Sequence, residues 1–152
     1  MIILVIISFL IDLISKIIVS KILSINEVIV VIKDFFNITY VRNTGAAWSI
    51  FAGETLGLII ISLIIIALIC YYISKNKIKS KLELVGYSLI LGGAIGNLYD
   101  RIVYGYVIDF LDFYIFGYDY PIFNLADSFI FIGVMLIVVY TWRYENGNES
   151  NR

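Results

Sequence analysis

From Leu56 to Ile73 the chain runs for eighteen residues without a charged side chain. A run of that length crosses a bilayer as a helix, because a crossing takes about 20 predominantly apolar residues and backbone groups in lipid must bond within their own segment. Three further apolar runs repeat the pattern: Ile2 to Val19, Leu84 to Tyr99, and Leu125 to Trp142. Composition agrees, with 15% charged residues against about 25% in a soluble domain. The chain is therefore expected to be an α-helical integral membrane protein. Its single domain, residues 1–152, should carry four transmembrane helices at about 2–19, 56–73, 84–99 and 125–142. The first run has no basic residue before it and no small-residue cleavage site after it, so it reads as a retained helix rather than a cleaved signal.

Basic residues in short loops set the expected orientation. Lys75, Lys77, Lys79 and Lys81 crowd the connection between the second and third helices, which places that loop and both termini in the cytoplasm. The two long connections, 20–55 and 100–124, then face outward. In the first, Val28 to Ile32 and Phe35 to Val41 are rich in β-branched and aromatic residues around a turn-like Lys33-Asp34, predicting a small extracytoplasmic strand pair. Farther on, Arg42 to Phe51 holds small residues followed by Trp48. It reads equally as backbone lying close to another surface or as a turn into a short interfacial helix before Glu54. The second connection is crowded with Tyr and Phe from Phe113 to Phe123, side chains that favour the headgroup region.

Two absences narrow the chemistry. Without histidine there is no Ser-His-Asp triad and no HExxH zinc site. With one cysteine, Cys70, there is no internal disulfide or thiolate metal cluster, and Cys70 itself reads as a small buried or lipid-facing side chain. No metal site or cofactor is expected. A net charge of -1 offers no basic field for nucleic acid.

Carboxylates remain. Asp100, Asp109, Asp112, Asp119 and Asp127 all fall between the end of the third apolar run and the first turn of the fourth. An ionisable group at membrane depth is costly and marks function by default. Asp127 opens an apolar run, where it reads equally as a reactive acid or as a cap on the helix dipole; Asp109 lies between Val107-Ile108 and Phe110-Leu111, reading as a reactive acid or as an ordinary loop acid. Two carboxyls brought together share a proton, which makes one a base and the other an acid. Such a pair hydrolyses a peptide without histidine, cysteine or metal.

Other polar residues interrupt the helices. Asp12 and Lys16, four apart, share a helix face and are either part of a site or a self-neutralising pair. Gly92 and Gly96 allow close helix approach. Asn97 follows, and Asp100 and Arg101 either serve a site or mark the helix end at the surface. Four helices with internal acids also describe a proton-coupled transporter, but the second helix is wholly apolar and the acids cluster on one side.

Taken in order, these segments resemble the lipoprotein signal peptidase (type II signal peptidase) family. The residues that carry the likeness are Asp12 with Lys16, Asn43-Thr-Gly-Ala-Ala-Trp48, Gly92-Gly-Ala-Ile-Gly-Asn-Leu-Tyr-Asp-Arg101, Val107-Ile-Asp-Phe110 and Phe123-Asn-Leu-Ala-Asp-Ser128. The resemblance implies a bacterial inner-membrane aspartic endopeptidase, acting as a monomer near the outer leaflet. Its substrates would be diacylglyceryl-modified prolipoproteins, cut just before the lipidated cysteine, and membrane lipids would surround it. By motif position Asp109 and Asp127 are the catalytic pair. Asn43, Asn97, Arg101 and Asn124 position substrate and support the pair, Asp100 is a structural partner, and Asp12 and Lys16 belong to the polar surroundings. A small outer β-sheet is also implied.

Overall fold

The computed structural model describes residues 1–46, 51 and 53–149, the last five of them by backbone only. Trp48 and most of the expected interfacial segment lie outside the described residues. Among the described residues, four helices are long and apolar enough to cross a membrane: α1 (Ile2–Ile22), α2 (Thr55–Lys75), α3 (Lys81–Tyr104) and α4 (Leu125–Glu149), the last qualifying over Leu125–Tyr144. Each contains its expected apolar run and extends beyond it, because hydropathy marks the lipid-embedded part while backbone hydrogen bonding continues to the next capping signal. For α3 those signals are explicit. Ser80 Oγ accepts from Glu83 N at 3.0 Å while a Glu83 carboxylate oxygen accepts from Lys79 N at 2.7 Å, a reciprocal start. The helix stops at Gly105, whose φ of 79° is the left-handed conformation that favours glycine. Asp100 and Arg101 are thus not a surface helix end: α3 runs on to Tyr104, and Asp100 is 1% exposed.

Helix α3 is the centre of the bundle. Its glycines let two neighbours approach: a Cβ on Gly92 would stand 2.9 Å from Ser8 Cβ of α1, and one on Gly93 would run into the backbone at Ala126 of α4. Gly86 and Gly133 meet in the same way farther along α3 and α4. By contrast α2 buries only Leu58 and is exposed to lipid over most of its surface. Cys70 lies there, free and exposed.

The outer connections build one antiparallel sheet in the order β1-β2-β3-β4, formed by β1 (Val28–Ile32), β2 (Phe36–Asn43), β3 (Val107–Ile115) and β4 (Tyr118–Asp119). The hairpin β1-β2 is the expected strand pair, turning at Lys33-Asp34 with Asp34 in the left-handed region. Strand β3 corrects the reading of Asp109 as a loop acid. It pairs with β2 in a register that sets Val41 opposite Asp109 and Asn43 opposite Val107. Its Val-Ile-Asp-Phe-Leu-Asp-Phe-Tyr-Ile sequence lacks the polar and apolar alternation of a half-solvated strand because both faces of its first half are buried. One face, with Ile108 and Phe110, packs on Val19, Leu23 and Tyr40 and ties the sheet to the end of α1. The other carries Asp109.

Replacing Gly92 by Val is expected to destabilise the protein by about 1–3 kcal/mol through overpacking at the α1–α3 contact, whereas Gly57→Ala, which meets open space, is expected to be neutral. Thermal unfolding in detergent checks both.

Candidate active site

Asp109 projects from β3 and Asp127 from the first turn of α4, and both line one cleft of about 350 Å³. Asn43, Asn97 and Arg101 line it as well. Asn124 is fully buried beside it, and Asp12, Lys16 and Asp100 lie packed behind, each 1% exposed or less. All nine candidate site residues named from sequence therefore assemble in one place. Asp112 does not join them: three residues on from Asp109, it falls on the opposite face of β3 and accepts from Asn37 Nδ2 at 2.9 Å. Asp119 borders an adjoining cleft of about 290 Å³ that shares Asn43 and Asp109.

Each carboxylate is held by amides. Asp109 Oδ1 accepts from Asn124 Nδ2 at 2.7 Å and Oδ2 from Asn43 Nδ2 at 2.9 Å. Asp127 Oδ1 accepts from Asn97 Nδ2 at 2.7 Å and Oδ2 from the backbone N–H of Asn124 at 3.2 Å. The amides are oriented in turn, because the carbonyl oxygen of each faces a group that only donates. Asn43 Oδ1 accepts from Gly45 N at 2.9 Å, Asn124 Oδ1 from Asp127 N at 3.0 Å, and Asn97 Oδ1 from Lys16 Nζ at 3.0 Å. Their NH₂ ends face the carboxylates, with Asn43 Nδ2 also donating to the Ala46 carbonyl at 3.3 Å and Asn124 Nδ2 to Asn97 Oδ1 at 3.1 Å.

The capping reading of Asp127 matches the structure, and the cap does not take it out of the cleft. Asn124 caps α4 through Asp127 N, and the Asp127 carboxylate returns the bond to Asn124 N, a reciprocal cap that still leaves Asp127 lining the cleft. The Asp12–Lys16 pair is likewise more than self-neutralising. Lys16 Nζ forms ion pairs with Asp12 at 2.8 Å and Asp100 at 2.9 Å and donates to Asn97 Oδ1 at 3.0 Å. Asp12 also accepts from Ala126 N at 2.9 Å, filling an orphan donor at the start of α4, and Asp100 accepts from Ile108 N at 3.2 Å on β3. Arg101 Nη2 donates to the backbone oxygen of Gly45 at 2.9 Å, which fixes the loop after Asn43, and its charge lies within electrostatic reach of Asp127 and Asp109.

Sequence reasoning did not single out the walls. Tyr120, Pro121 and Ile122, just after β4, line both clefts. A third, largely apolar cleft of about 360 Å³ runs from Tyr120, Phe123 and Asp127 along α4 to Phe131 and Ile132. Only the aromatic crowding of this connection hinted at such a surface.

Comparison with known proteins decides the family. The profile of the family described as signal peptidase (SPase) II matches residues 4–143. The chain belongs to the signal peptidase II family. A lipoprotein signal peptidase of Clostridium tetani (strain Massachusetts / E88) is 43% identical over 152 residues, covering 99% of this chain and 97% of the relative. One of Halothermothrix orenii is 42% identical, covering 94% and 95%. Two solved structures described as bacterial membrane enzymes superpose with TM-scores of 0.87 and 0.83 at 39% and 40% identity, covering 93% and 92% of this chain and 87% and 90% of theirs. Signal peptidase II membership makes this a bacterial membrane protein and an aspartic peptidase.

Burial and the neighbouring Asp127 carboxylate push Asp109 up to about 7, against the opposing hydrogen bonds from Asn43 and Asn124. An aspartate in an unfolded chain releases its proton near about pH 3.9. Native Asp109 holds more proton than unfolded between those values, so its contribution to stability is complete below about pH 4 and is lost as pH rises through about 7. The expected outcome is an infrared carbonyl band of a protonated carboxyl that fades across about pH 7 and is absent from Asp109→Asn. The fall in unfolding temperature over the same range should be smaller in that variant.

Proposed function

We propose that the chain removes signal peptides from prolipoproteins by two-aspartate hydrolysis, with Asp109 and Asp127 as the catalytic pair, cutting just before a diacylglyceryl-modified cysteine. The observation that carries this reading is the convergence of the two carboxylates, from different elements, on one cleft where asparagine amides hold both. The raised proton affinity of Asp109 supports its starting as the acid, with Asp127 ionised as the base. Asp127 takes a proton from water as the water oxygen bonds to the peptide carbonyl carbon, and Asp109 gives its proton to the carbonyl oxygen. Collapse of the tetrahedral intermediate breaks the C–N bond, the amine leaves with the proton held by Asp127, and Asp109 recovers its own. No cofactor enters the cycle.

The clefts suit a substrate that is part peptide and part lipid. An extended peptide fits the cleft beside Val41 and Asn43, while an acyl chain fits the apolar cleft along Phe131 and Ile132, whose side chains are exposed toward the bilayer. The lipid then stays in the membrane during cleavage. The lysines of 75–81 support a cytoplasmic loop, both termini inside, and a site near the outer leaflet. The enzyme acts as a monomer amid membrane lipids, and nucleic acid has no part in it.

Purified protein in lipid, given a diacylglyceryl-modified precursor peptide, is expected to cleave before the lipidated cysteine. Asp109→Asn and Asp127→Asn should each lose at least about 10²-fold in rate while remaining folded. Retained cleavage in either variant removes that residue from the pair, and inhibition by chelators would overturn the two-aspartate mechanism. Orientation is checked separately: a cysteine placed at Lys77 in a Cys70→Ser background should react with an impermeant maleimide from the cytoplasmic side only.

A further inference from the structure

Every amide that touches the two carboxylates has its orientation set from behind, and two of the three anchors are backbone N–H groups. The third is the Lys16 ammonium, which touches neither Asp109 nor Asp127 and is 1% exposed. Rotating the Asn97 carboxamide by a half-turn would set its NH₂ against a cation with no lone pair and its oxygen against the Asp127 carboxylate, two repulsive contacts in place of two bonds. Asn124 Nδ2 also reaches Asn97 Oδ1, at 3.1 Å, but it is neutral and shared with Asp109. The charge-assisted bond from Lys16 therefore carries most of the preference.

We propose that Lys16 is a positioning residue for the hydrolysis: its buried ammonium locks the Asn97 carboxamide with its nitrogen toward Asp127, presenting that carboxylate in a fixed rotamer to the attacking water. This rests on the assignment of Asp109 and Asp127 as the catalytic pair. Asp12 and Asp100 hold the ammonium in place from α1 and α3. The lock links helix α1, which contributes no residue to the cleft wall, to the reacting group on α4.

The test is a double-mutant cycle of Lys16→Met and Asn97→Leu in lipid, with kcat and KM measured on the lipidated precursor. Lys16→Met is expected to lower kcat by about 10–100-fold, the worth of a hydrogen bond from a charged group, with KM changed less than about twofold because the cleft walls are intact. In the Asn97→Leu background the same change should cost little more, since its route to Asp127 is already gone. Should Lys16→Met fail to fold, Lys16→Met with Asp100→Asn, which keeps the cluster at one net negative charge, is compared with Asp100→Asn alone. Losses that multiply across the cycle, or a kcat per folded molecule equal to wild type, overturn the lock. If Asp109→Asn or Asp127→Asn still cleaves, the pair assignment has failed. If both are inactive and Lys16→Met keeps full kcat, only the lock has.

Discussion

The structure depends on one ammonium group. Lys16 Nζ bonds two carboxylates and a carboxamide, and those carboxylates go on to hold the start of α4 and the beginning of β3. Without the cation, Asp12 and Asp100 would be two like charges buried at membrane depth, an arrangement that costs several kcal/mol per ion. With it, α1, α3, α4 and β3 share one polar cluster. The molecule is inverted relative to a soluble protein: Lys16, Asn124, Asp12 and Asp100 are among its largest fully buried side chains, while leucines and isoleucines by the dozen face outward. In lipid, apolar contact between helices has little advantage over contact with acyl chains. Close glycine-mediated approach and the polar cluster take over the role that an oily core plays elsewhere.

Charge accounting then explains the site. Asp12, Asp100 and Asp127 lie among two cations, Lys16 and Arg101, so carboxyl groups outnumber cations in this region even without Asp109. Burial of Asp109, 3% exposed, and then the neighbouring Asp127 carboxylate keep its proton into the neutral range. The asparagines make this tolerable, since they donate to carboxylates without adding charge of their own.

Much of this was legible in the chain. Helices α1 to α4 were visible because hydropathy at membrane depth admits no alternative, and Asp109 and Asp127 stood out as acids beside apolar runs, whereas Asn43, Asn97, Arg101 and Asn124 were singled out through the family resemblance. The strand β3 was not, because its two buried faces erase the period-2 pattern and its acids at 109 and 112 point opposite ways. The ends of α3 were written at Ser80, Glu83 and Gly105, yet an apolar run alone stops short of them. The joining of Asp12 to Ala126 spans 114 positions and has no local signal at all.

The reciprocal cap at the start of α4 has a further meaning. The Asp127 carboxylate is at once an acceptor for the Asn124 N–H and, in the proposed reaction, the group that gains and loses a proton. In that reaction each protonation of Asp127 would weaken an acceptor that the start of its own helix uses, coupling turnover to the stability of the first turn of α4.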